Sequence, residues 1–132
     1  MTIVAHQTDA GVVAEVISRP DGHGSDAGHN ARGVIRSASE ALDLFATAQS
    51  ETGSKRIVIH ASTLDSGFFD LRTGLAGEIL QKVSNYGLRL AVVGEFQGAA
   101  SGPLRDFIRE SNRYGQVVFV DSVDEAVNRL AR

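Results

Sequence analysis

Apolar and polar residues alternate at the start of the chain. Ile3 and Ala5, then Val12, Ala14 and Val16, repeat with the two-residue period of a strand, and Asp9-Ala10-Gly11 between them carries turn chemistry. A hairpin is predicted. From Arg19 to Gly33 there are four glycines, one proline and no large apolar side chain, which reads as a long flexible loop at about 20–33. Ser37-Ala38-Ser39-Glu40 then fits a capping box, in which the serine caps and the glutamate reaches back. It opens a helix with Ala38, Ala41, Leu42 and Phe45 on one face and Gly53 as its stop.

The period then changes repeatedly. Arg56 to His60 is a short apolar strand, and Thr63 to Leu71 reads as a loop. Thr73 to Tyr86 shows a helical stripe of Leu75, Ile79, Val83 and Tyr86, widened by Ala76 and Leu80. Leu88 to Val93 is a strand interrupted only by Arg89. Ser101-Gly102-Pro103 opens a third helix with Leu104, Phe107 and Ile108 inward and Gly115 at its end. Val117 to Val120 is a last buried strand. Ser122-Val123-Asp124-Glu125 is a second capping box, opening a helix with Val123, Ala126, Val127 and Leu130 inward.

The expected order is β-β-α-β-α-β-α-β-α, an α/β fold in one domain spanning 1–132. Helical crossovers make the last three strands parallel, and their near-continuous apolar character suits a sheet covered on both faces. The hairpin adds an antiparallel pair at one side.

Composition narrows the chemistry. The chain has 132 residues, with 13 basic and 16 acidic side chains and a net charge of −3, which provides no electrostatic footprint for nucleic acid. With no cysteine, thiol catalysis, thiolate metal sites and disulfides are excluded. No apolar run is long enough to span a bilayer, and Met1 to His6 has neither a basic region nor a signal-peptide core, so a cytoplasmic protein is expected. His6, His23, His29 and His60 have no metal-enzyme spacing, and no metal or cofactor is expected.

Candidate chemistry concentrates at the start of the second helix. Thr73-Gly74 would present free N–H groups there, and Arg72 beside them could grip a phosphate or carboxylate. Asp70 and Glu78 could add acid–base groups near the carboxyl ends of the parallel strands. The plainer reading makes Thr73 an N-cap and pairs Arg72 with Asp70. Phe68 and Phe69, adjacent in a loop, are either core or partner anchors. Arg105, Arg109 and Arg113 recur along the third helix among acids, which reads as a solvated face.

The order of elements resembles the sulfate-transporter and anti-sigma-factor-antagonist (STAS) domain, whose second helix starts at a functional loop. The tail from Val118 to Val127 looks like the usual end of such domains. A closer resemblance is to domain-of-unknown-function family 4180, a bacterial family. It is carried by Phe68 through Lys82, Asn85-Tyr86, Leu90 through Gly94 and Phe107 through Asn112, over about residues 37–130. That family has no established activity to transfer. In STAS regulators a serine at the start of the second helix is phosphorylated, and Thr73 occupies the matching place, followed by Gly74. Leu71 stands where that motif has aspartate, and Arg72 where it has its first serine.

These readings converge on a non-catalytic regulatory or protein-interaction module with an unidentified protein partner. Its surface would comprise Phe68, Phe69, Asp70, Arg72, Thr73, Gly74 and Glu78, with Thr73 as candidate phosphoacceptor. The alternative is a binder of a small anionic ligand, or an enzyme, using a pocket at the same place. A homodimer through a helix face or the hairpin edge is compatible with both.

Overall fold

The computed structural model describes residues 2–17, 35–96 and 102–132. The predicted loop at 20–33 falls outside them, as does most of the segment leading into the third helix. The elements run β1 (Thr2–Thr8), β2 (Gly11–Ile17), α1 (Ala38–Thr52), β3 (Arg56–His60), α2 (Leu75–Asn85), β4 (Arg89–Val93), α3 (Gly102–Tyr114), β5 (Val117–Val120) and α4 (Val123–Leu130). The fold is α/β, with a five-stranded mixed sheet and four helices among the described residues. Strands lie side by side in chain order, with β1 antiparallel to β2 and every later neighbour parallel.

The two faces are covered unequally. Helices α1, α2 and α3 share a core with Ala14, Val16, Ile57, Ile59, Leu90, Val92, Val117 and Phe119. The opposite face, with Val13, Val58, Ala91, Val118 and Val120, meets Ala126 and Leu130 of α4. That helix packs on β3, β4 and β5. Burying strands on both sides explains why β3 to β5 read as unbroken apolar runs.

Local signals hold at most boundaries. Ser37 and Ser122 cap their helices through Glu40 N and Glu125 N, both at 3.1 Å. The capping box at α1 is displaced by one residue: Glu40 Oε1 accepts from Arg36 N at 2.7 Å rather than from the cap residue itself. Gly53, with φ of 76°, ends α1 in the left-handed region that a Cβ disfavours.

Several expectations need correction. The buried stripe of α1 is Ala41, Leu44, Phe45 and Ala48, with Ala38 and Leu42 only half-buried. Tyr86 caps α2 and is exposed, because the helix turns its last residue away from the sheet. The predicted loop between β3 and α2 is instead wound into three 3₁₀ turns, Ala61–Thr63, Ser66–Phe69 and Leu71–Thr73. Asp65 and Asp70 start two of them by accepting from the backbone N–H two residues on, at 3.0 and 3.1 Å. Ile35 bridges to Leu64, tying this loop to the segment that leads into α1.

Candidate functional site

The wound loop delivers the predicted residues to the carboxyl end of β3. Phe68 is 1% exposed and belongs to the core, which corrects its reading as a surface anchor. Phe69 is half-buried and meets Phe68 edge to face, with centroids 5.0 Å apart. The contacts continue from Phe69 to Phe96 at 6.0 Å, Phe96 to Phe119 at 5.4 Å and Phe107 to Phe119 at 6.0 Å. This aromatic chain joins the loop before α2 to the turn after β4. Gly94 is required at that turn: a Cβ there would stand 2.8 Å from Ala61 Cβ and 3.0 Å from Phe96 Cζ.

Beyond the aromatics, the polar groups turn on one another. Arg72 Nε and Nη2 each donate to the Asp70 carboxylate at 3.0 Å, a bidentate pair. The Arg72 side chain and then its backbone N–H hold the Asp70 carboxyl below its usual range, and the Asp70 carboxylate raises the guanidinium. Thr73 Oγ1 lies 2.7 Å from Gly67 O and 2.9 Å from Asp70 O, and accepts from Leu75 N at 3.2 Å. The helix therefore begins two residues later than expected, with Gly74 as its N-cap at φ of 78°. Thr73 still serves the helix start, reaching across the glycine. Glu78 is exposed in the first turn of α2, with no side-chain hydrogen bond to Asp70 or Arg72. The loop thus assembles Asp70, Arg72 and Thr73 and leaves Glu78 apart.

A second polar cluster lies on the α4 side of the sheet and escaped the sequence reading. Glu15 on β2 is 7% exposed and accepts from two histidines. His6 Nε2 on β1 lies 2.8 Å from Oε1, and His60 Nε2 at the end of β3 lies 2.7 Å from Oε2. An ionised carboxylate only accepts, so both rings carry hydrogen on Nε2 and keep Nδ1 as the free nitrogen when neutral. Burial alone would raise the Glu15 carboxyl. The hydrogen bonds from His60 and His6, with the charge the rings carry when protonated, outweigh burial and hold it below its ordinary value. No group of three ligands able to hold a metal occurs among the described residues.

Two openings lie away from both clusters. One, of about 480 Å³, sits at the amino ends of the parallel strands and is lined by Gly53, Lys55, Arg56, Gly87 and Arg89, among others. The carbonyl ends of α1 and α2 point there, which accounts for the local cations. The other, of about 420 Å³, is a groove between α2 and α3.

The architecture makes this an α/β protein with a mixed sheet. The model of the family described as Domain of unknown function (DUF4180) matches residues 27–130, and the chain belongs to that family. The match begins ahead of the resemblance read at about residue 37 and takes in part of the glycine-rich segment. No protein of curated function and no solved structure matches the chain. No helix among the described residues is long and apolar enough to cross a membrane.

Proposed function

We propose that the chain is a bacterial, cytoplasmic, STAS-like module that regulates or recruits another protein without catalysing a reaction. Its docking surface is the ridge made by the end of the wound loop and the first turn of α2. One observation carries this reading: the polar groups that chemistry would need are closed on one another. Asp70 and Arg72 are paired bidentately, and the Thr73 hydroxyl is shared between two carbonyls and an amide. What the ridge offers instead is a fixed shape. Leu71 stands 36% exposed beside the ion pair, on backbone held by caps from Asp65, Asp70 and Thr73. A rigid loop presenting an apolar residue within a charged rim suits recognition by a protein. The mixed five-stranded sheet with four helices supports the STAS-like part of the reading. Phosphorylation of Thr73 would release the loop, because its Oγ1 could no longer donate to Gly67 and Asp70.

The test is a photo-crosslinking amino acid at position 71 in the native host, with one at exposed position 124 as control. A protein captured through position 71, not through 124, and lost on Arg72→Glu supports the reading. Equal capture at both positions, or none at 71, overturns it.

A further inference from the structure

The groove between α2 and α3 has its own chemistry. The two helices pack on different neighbours, α2 on α1 and α3 on β5, and leave a cleft of about 420 Å³ between them. Gly77, Leu80 and Ser84 line it from α2, at the i, i+3, i+7 spacing of one helical face. Phe107, Glu110 and Tyr114 line it from α3 at the same spacing. Leu80 and Phe107 are half-buried and reach the core below, giving the cleft an apolar floor. Glu110 is the one charged lining residue and makes no ion pair among the described residues. That is notable because Arg109 on the same helix approaches Asp106, at 3.8 Å. Tyr114, 82% exposed, stands at the rim within one helical turn of Glu110.

We propose that this groove receives a segment of a partner protein that inserts an apolar side chain over Leu80 and Phe107 and sets a lysine or arginine against Glu110 and Tyr114. The charge argument selects the occupant. An unpaired carboxylate beside an aromatic face attracts a cation through Coulomb and cation–π terms together, and repels an anion. The cleft between two helices, with Gly77 and Ser84 leaving room, has the form of a peptide-recognition groove. The inference rests on reading the chain as an interaction module and names the chemistry of its partner.

Gly77 makes the test clean. A Cβ there would meet nothing within 4 Å, so a Gly77→Trp side chain leaves the helix into open space at the groove's lining. Replacing glycine inside a helix also favours folding. The probe is phenethylammonium, one aryl group carrying one ammonium, followed by backbone amide NMR shifts. Phenylacetate is its anionic counterpart. The expected result is saturable shifts at Leu80, Ser84 and Tyr114 with a Kd on the order of millimolar, as its size allows. Phenylacetate should bind at least about fivefold more weakly, a preference that Glu110→Gln removes and a binding that Gly77→Trp abolishes. Equal binding of the two probes, or shifts that persist in Gly77→Trp, overturns the proposal. So does a wild-type dimer in sedimentation that Gly77→Trp converts to monomer, since the occupant would then be a second copy. None of these results touches the crosslink at position 71, so the groove can fail while the ridge stands.

Discussion

Replacing Glu15 with glutamine tests whether the buried carboxylate acts through its charge. The substitution keeps the shape and leaves one oxygen to accept from one ring. The other ring then faces an amide NH₂, donor against donor, and must change tautomer or turn to water. A hydrogen bond to a charged group contributes about 1.5–3 kcal/mol net, and water can replace part of it at these rings. Their side chains are 31% exposed for His6 and 29% for His60. The expected loss near neutral pH is therefore about 1–3 kcal/mol. For a chain of this length that corresponds to a fall in Tm of roughly 3–12 °C. Because folding depresses the Glu15 carboxyl, its contribution is fully present above the unfolded value near 4.5 and is lost as pH falls through the folded value. Below both, a protonated glutamic acid and a glutamine are nearly the same group. Urea unfolding of both proteins, followed by circular dichroism at neutral pH and at about pH 3, measures the difference directly. The gap should narrow in acid, because the contribution is already being lost below the unfolded value. A gap of the same size at both pH values would show that shape, not charge, is at stake, and no gap at neutral pH would refute the role altogether.

Three further outcomes are expected. Gly94→Ala should destabilise by about 1–3 kcal/mol in urea titration, because its Cβ would fall 2.8 Å from Ala61 Cβ, and an unchanged midpoint would show that the turn can shift freely. Arg89→Met should cost about 2 kcal/mol, since the guanidinium donates to the carbonyls of Gly115, Arg129 and Leu130 at 3.2–3.3 Å. Hydrogen exchange should speed up first in the last turn of α4, and uniform exchange across the sheet would contradict that cap. Ser37→Ala should remove the α1 cap and lower stability by about 1 kcal/mol, while Ser39→Ala, at an exposed position, should leave the melting curve in place.

What was legible in the sequence was whatever acts locally. Ser37, Gly53, Gly115 and Ser122 mark helix ends because caps are satisfied within a few residues, and all four were readable. The pairing of Arg72 with Asp70 was readable for the same reason. The His6–Glu15–His60 cluster was not, because its members stand 9 and 45 residues apart and meet only through strand register. The hairpin pairing sets His6 opposite Val13 and Val4 opposite Glu15, while the parallel pairing sets Glu15 beside Val58. Those pairings place both histidines on the face that Glu15 occupies. A lone glutamate within Val12 to Ile17 was the available hint, since β2 is otherwise apolar and is covered on both sides. The 3₁₀ turns before α2 were hidden for a different reason. Phe68 is held in its turn by ring contacts with Phe69 and, 51 residues on in the chain, Phe119, and no periodicity in so short a segment reports that.

The late position of α4 in the chain has a consequence for synthesis. A ribosome delivers the strands in the order in which they lie in the sheet, so each can dock on the previous one as it emerges. Helices α1 to α3 follow the same schedule and seal their own side as they appear. Among the described residues, the other side has only residues 123–130 to cover Val58, Ala91, Val118 and Val120, and these are made last. A nascent chain arrested before Val123 would therefore be half a protein in a particular sense, finished on one surface and adhesive on the other. Its expected fate is capture by a chaperone or self-association through the bare strands, rather than a scrambled fold.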